Sequence, residues 1–337
     1  MQPYLTFVVS ARNDNYGGNF LRRMQVFVNV LGEWTEREGL DAELIVAEWN
    51  PPKDAAGIRE AIMWPKGLLA RVRIVEVSPE IHRSLPNSHR MPMFEYIAKN
   101  VGIRRAAGEY VVATNPDIVF EKKLIAYLAT RQLHSDCFYR VDRYDVREPV
   151  PLSISADKQI RFCARHAYRV FRMHGTVSTS SLVNFKRYLR RNLPRLSPKP
   201  LVRGLAWHAI KLIRSPTAAS VPAQRALPSV HTNASGDFML MSRERWHALR
   251  AYPELGTFSH IDSYFMYIAA TAGLRQTVLR FPIFHQEHDR SDRATRPLTV
   301  LEEIPAFRQM RETSQPVITN DENWGLGNAE LPTAVVG

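Results

Sequence analysis

The sequence predicts an α/β domain built around a mainly parallel sheet, and three observations carry that reading. Short apolar runs rich in Val, Ile and Phe alternate through the first half with longer segments of helical periodicity, the pattern of βα units. Prolines at 51, 52, 79 and 86 punctuate the loops between them. A second, shorter set of strand and helix signals returns between residues 235 and 288, after a stretch of different composition.

Taken in order, strands are expected over Leu5–Val9, Glu43–Ala47, Val72–Val77 and Tyr110–Ala113. A helix is expected over Asn19–Glu38, where Phe20, Met24, Phe27, Val28 and Leu31 share a face, and another over Met93–Ala107. In the second set, Phe238–Met241 reads as a strand, Arg243–Leu249 and Ser263–Ala272 as helices, the latter closed by Gly273, and Thr277–Phe281 as a last strand. Between the sets, residues 184–224 carry Lys186, Arg187, Arg190, Arg191, Arg195, Lys199, Arg203, Lys211 and Arg214 and no acidic residue. The expected organisation is therefore 1–183 as the first part of the α/β domain, 184–230 as a basic insertion or mobile lobe, 231–300 as its second part, and 301–337 as a C-terminal extension.

The 337 residues are 45% hydrophobic and 23% charged, ordinary globular composition. Cys137 and Cys163 lack any paired metal or redox spacing, so a reducing compartment is expected. No run approaches the roughly 18 apolar residues of a spanning helix, and the first strand signal begins at Tyr4, so no secretory or transit segment is expected ahead of it. The expectation is a cytoplasmic protein, soluble or peripheral at the cytoplasmic membrane face. A formal net charge of +12 suits polyanionic partners: nucleic acid, anionic lipid or phosphate-bearing substrates. Arg203–Arg214, with Leu205, Trp207, Ile210, Leu212 and Ile213 among basic residues, has the composition of an amphipathic helix for an anionic membrane surface.

Three segments carry candidate chemistry. The first strand runs through Phe7-Val8-Val9-Ser10-Ala11-Arg12-Asn13-Asp14. A helix and strand from Lys99-Asn100 through Gly108-Glu109-Tyr110 lead to Asn115-Pro116-Asp117, an acid at a strand's carboxyl end, where open α/β sheets bind ligands. The third segment holds Gly236-Asp237, then Ser259-His260-Ile261-Asp262, then His285-Gln286-Glu287-His288. A bland reading stands beside each: Asn-Pro-Asp as a turn, Asp262 as a first-turn acid of its helix, the histidines as a solvated turn.

Together these segments resemble the GT-A nucleotide-sugar glycosyltransferases, especially the bacterial sugar transferases and the polypeptide N-acetylgalactosaminyltransferases, over roughly residues 5–120 and 235–290. The resemblance implies a three-layer α/β fold that moves a sugar from a UDP- or GDP-sugar to a glycan or lipid-linked acceptor. It places Ser10, Arg12, Asn13, Glu48, Lys99, Asn100, Asn115 and Asp237 around the donor. It makes Asp117, with His285 or His288, the ligands of a divalent cation, Mn2+ or Mg2+, and Asp262 the base of an inverting transfer. Where the family has Asp-any-Asp, this chain has Asn115-Pro116-Asp117, so the first acid is an amide.

Two other classes compete with this reading. Nucleic-acid binding fits the charge, but the chain lacks a zinc spacing, an RRM-type aromatic motif and a helix-turn-helix signature. A nucleotidyltransferase or sugar-nucleotide pyrophosphorylase would open with a Gly-rich loop, which Ser10 to Gly18 only faintly resembles.

Overall fold

The computed structural model describes residues 2–68, 71–178, 227–256, 260–289 and 300–336. The basic segment at 184–224, with its Arg203–Arg214 stretch, lies outside the described residues. Among those described, no helix is long and apolar enough to cross a membrane.

The chain opens with β1 (Leu5–Ala11), α1 (Phe20–Arg37), β2 (Ala42–Trp49), a short α2 (Ile58–Ala61), β3 (Val72–Val77) and α3 (Pro79–Ser84). It continues through α4 (Glu95–Arg104), β4 (Tyr110–Thr114), β5 (Ile118–Phe120), α5 (Lys122–Ala129), β6 (Cys137–Val146), α6 (Ala156–His166), β7 (Ala167–Arg172) and β8 (Gly175–Ser178). The last elements are β9 (Phe238–Ser242), α7 (Arg243–Ala248), α8 (Ile261–Thr271), β10 (Arg275–Gln286), α9 (Pro305–Thr313) and β11 (Thr333–Val336).

One mixed sheet joins all these strands in the order β11-β3-β2-β1-β4-β9-β6-β10-β5, with β7 added beside β6 and β8 beside β7. Four neighbours, β3, β2, β1 and β4, are parallel. Beyond them β9 runs antiparallel between β4 and β6, while β10 pairs parallel with β6. Apolar cores fill both faces. One contains Phe7, Met24, Phe27, Leu44 and Phe120; the other contains Val8, Ile45, Val101, Met239, Trp246 and Phe265. The result is the three-layer α/β arrangement expected.

β1, β2 and β4 are buried on both faces, so they read as largely apolar runs, while β3 carries half-buried Arg73 and Glu76. Their approach to α4 is close: a Cβ on Gly102 would collide with the side chain of Val8. The sequence reading missed β6, a central strand, because Arg140, Asp142, Arg143 and Asp145 interrupt its apolar residues. It also placed β10 too short. The observed strand runs on to Gln286, across a register irregularity between Leu279 and Ile283.

Candidate active site

A cavity of about 390 Å³ opens at the carboxyl ends of β1 and β4, lined among others by Ser10, Arg12, Asn115, Asp117, Asp237, Asp262, His285 and His288. Eight of the twelve residues picked from sequence thus meet in one place.

Each arrives by its own route. β4 ends at Thr114, and the Asn115–Asp117 turn, closed by Ile118 N donating to the Asn115 carbonyl at 3.2 Å, delivers Asp117. β5 then pairs with β10 so that Ile118 faces His285, while β10 pairs with β6 so that His285 faces Asp145. Sheet register therefore fixes His285 beside Asp117. His288, just past the strand, is set by its neighbours: Tyr16 packs edge-on at 5.0 Å, and a Cβ on Gly17, whose φ is +64°, would collide with the imidazole.

Asp117, His285 and His288 offer ligand atoms that all lie within 4.8 Å of one another. His285 Nε2 is 3.7 Å and His288 Nε2 3.4 Å from Asp117 Oδ2, and Arg23 Nε is 3.9 Å away. Asp117 Oδ1 is buried without a hydrogen-bond partner among the described residues, which a protein rarely tolerates unless something else completes the site. Two imidazoles and a carboxylate suit a divalent transition metal. Burial would raise the Asp117 pKa, but the imidazoles of His285 and His288 and the Arg23 guanidinium outweigh it and hold the carboxyl well below its usual range. Asp117 is thus ionised, as a ligand must be.

Asp262 sits in the first turn of α8, after His260 at φ +63°. Its Oδ1 accepts from Ser263 N at 2.9 Å, so the bland role at the helix start is fulfilled. Its Oδ2 lies 2.6 Å from the Ser235 hydroxyl, which also lies 2.7 Å from the Thr232 carbonyl. One hydroxyl proton serves one of them at a time. Asp262 differs from the cavity's other carboxylates in having no ion pair among the described residues, whereas Asp14 pairs with Arg12, Glu95 with Lys99 and Asp237 with Arg143.

Four residues from the sequence reading do not line the cavity. Glu48 is buried and accepts from Ile58 N at 2.8 Å; burial raises its pKa. Asn13 donates to the Ala56 carbonyl at 2.8 Å in the same loop region. Lys99 is fully buried behind the wall, donating to Glu95 at 2.7 Å and to the Gly236 carbonyl at 2.8 Å. Asn100 ties α4 to Tyr252 and Glu254, at 2.7 to 3.0 Å. The structure thus gives these side chains bonds within the scaffold in place of the cavity position expected.

Sequence reasoning missed Arg23, Arg140, Arg143 and Asp145. Arg23 projects from α1 and donates to the carbonyls of Tyr16 and Gly18, holding the loop that packs on His288. Arg140 is fully buried, and burial brings its pKa down to about 10. Its guanidinium gathers the carbonyls of His231, Asn233 and Ser235, which shapes the loop that presents Ser235 to Asp262. Part of the signal for β6 was available: after Cys137 and Phe138, Tyr139 and Val141 alternate with Arg140 and Asp142, a period of two.

No family model and no curated protein matches the sequence. Among solved structures the fold is similar to a Pyrobaculum calidifontis mannosyltransferase in complex with GDP-Man and Mn2+, at 13% identity over 87% of this chain and 60% of that one, with a TM-score of 0.41. It is also similar to S. aureus TarS in complex with UDP-GlcNAc, at 12% identity over 92% and 66% with a TM-score of 0.47. The catalytic domain of Drosophila β1,4-galactosyltransferase 7 in complex with xylobiose aligns at 12% identity over 97% and 84%, with a TM-score of 0.38. The chain spans less than two thirds of the length of the first two. A likeness this distant says nothing of donor, metal or acceptor for this chain.

Proposed function

We propose that this chain is a metal-assisted glycosyltransferase that takes its sugar from a nucleoside-diphosphate donor, UDP- or GDP-linked, and inverts the anomeric centre. The observation that carries the reading is the cavity's division of charge. A candidate cation trio, Asp117, His285 and His288, shares one cavity with Asp262, a carboxylate without an ion pair among the described residues. The arginines that line the cavity are already committed to protein oxygens: Arg12 to Asp14, Arg23 to loop carbonyls, Arg143 to Asp237 and Asp145. A diphosphate entering here needs a further counter-charge. A divalent cation, when bound, would neutralise the diphosphate leaving group, and the donor set favours Mn2+ over Mg2+, which prefers all-oxygen coordination.

The chain's own residues then divide the work. Ser10 and Arg12 at the end of β1, with Asn115 and Asp237, form the donor wall. Asp262 takes the proton of the acceptor hydroxyl as it attacks, with Ser235 holding the carboxylate's orientation. The acceptor is a glycan or lipid-linked sugar, and the basic 184–224 segment favours an anionic membrane face of the cytoplasm.

Incubation with radiolabelled UDP- and GDP-sugars and with nucleoside triphosphates, each with Mn2+ or with EDTA, tests the reading. Donor cleavage that requires Mn2+ and disappears in Asp117→Ala is the expected result. Turnover of triphosphates alone would make the chain a nucleotidyltransferase instead.

A further inference from the structure

A ring of side chains surrounds the cation trio. His285 Nδ1, on the side of the imidazole away from Asp117, lies 3.3 Å from Asp145 Oδ1, long for a hydrogen bond. Asp145 is fully buried and held in turn: Arg143 Nε is 2.9 Å from its Oδ1, and Arg169 Nε donates to its Oδ2 at 2.9 Å. Arg143 reaches onward to Asp237 Oδ2, and Asp237 Oδ1 accepts from Asn115 Nδ2 at 2.8 Å. Asn115 begins the turn that ends in Asp117. The path from Asp117 through His285, Asp145, Arg143, Asp237 and Asn115 therefore returns to its start.

We propose that Asp145 is a positioning residue for the cation site: its carboxylate holds the His285 ring through Nδ1–H, so that Nε2 is the nitrogen presented beside Asp117. The inference rests on the metal-binding reading of the trio. Several observations point the same way. The sheet register sets His285 opposite Asp145 on adjacent parallel strands, so the pair is built into the backbone. A carboxylate at 0% exposure in the middle of a sheet is costly unless its charge is used. A carboxylate behind a ligating histidine fixes both tautomer and ring angle, and losing it typically weakens metal binding about 10- to 100-fold. The ring also explains residue 115: its amide donates to Asp237, where an aspartate would set two carboxylates against each other.

Titration calorimetry with Mn2+ alone tests the proposal, using wild type, Asp145→Asn and Asp117→Ala at a temperature well below each melting point. Asp145→Asn is expected to bind Mn2+ about 10- to 100-fold more weakly than wild type, and Asp117→Ala not measurably. If Asp117→Ala binds as wild type does, the trio is no metal site and both readings fall. If Asp117→Ala loses binding but folded Asp145→Asn stays within about twofold of wild type, only the role of Asp145 is overturned. Should Asp145→Asn not fold, long-range 1H–15N spectra of histidine-labelled wild type loaded with diamagnetic Zn2+ decide the matter, with His285→Gln for assignment. A His285 that carries its proton on Nδ1 and the metal on Nε2 is expected; metal on Nδ1 would refute the proposal.

Discussion

The two halves of the sheet are built from different materials. In β1 and β2 most inward positions are aliphatic, and the buried exceptions Thr6, Ser10, Glu43 and Glu48 lie towards strand ends. In β6 and β10, and just ahead of β9, buried positions carry Arg140, Arg143, Asp145, His285 and Asp237, each beside a partner side chain or a loop carbonyl. The first half gains its stability mainly from apolar burial, with Glu43 and Glu48 held by hydrogen bonds from Thr6 and Ile58. The second accepts the desolvation of several charges, which makes sense only where those charges hold a site in shape. The contrast teaches where to expect function: in the half whose strands break the apolar rule.

Altering each half should therefore fail in a different observable. In the polar half, Asp262→Asn should lower turnover by about two orders of magnitude or more, the usual scale for a lost general base, while nucleotide-sugar affinity stays nearly unchanged. Weakened donor binding with a normal rate would move Asp262 to the donor wall, and a product of retained configuration would remove the need for this base.

In the apolar half, Ile45→Ala removes a fully buried side chain and should cost about 2–5 kcal/mol in chemical denaturation. Donor turnover below the melting temperature should hold. A comparable loss of turnover at full fold would mean that the halves are not separable.

Acid should expose the polar half. Asp117, Asp145 and Asp237 all have pKa values depressed in the fold: burial would raise each, but it is outweighed by the charges of His285 for Asp117, His285 and Arg143 for Asp145, and Arg143 for Asp237. A depressed carboxylate contributes stability that is present above its unfolded value of about 3.9 and is lost as pH falls through the folded value. The urea midpoint should therefore decline steadily below pH about 4, and Asp145→Asn should flatten that limb. A midpoint indifferent to acid would contradict the charge network.

The smallest effect is expected at the surface. Arg37 bridges Glu33 and Asp157 at 2.9 Å each, but Arg37 is exposed, its partners are partly so, and solvent screens the pairs. Arg37→Ala should leave the melting temperature within measurement error and turnover unchanged.

The same contrast governs what the sequence reveals. β3 was legible to the residue, and β1, β2, β4 and α1 to within two residues, because β-branched apolar residues in short runs and helical spacing survive without tertiary context. Asp117, Asp262 and both histidines were singled out through the resemblance of their segments to the GT-A pattern, and all four line the cavity. Asp145 and Arg143 were not, since their meaning depends on register: β6 must pair with β10 across the irregularity between Leu279 and Ile283 before His285 faces Asp145. Lys99 and Asn100 failed for a related reason, since their place on α4 was read correctly but which side of the helix met the cavity was not.

A nucleoside diphosphate held through a cation on Asp117, His285 and His288 should bind only when the cation is supplied. Titration of UDP and GDP into wild type and Asp117→Ala, with Mn2+ and again with EDTA, measures this. One nucleotide is expected to bind wild type in Mn2+ only, and neither to bind the variant. Equal affinity in EDTA, or undiminished Mn2+-dependent binding by folded Asp117→Ala, would contradict it.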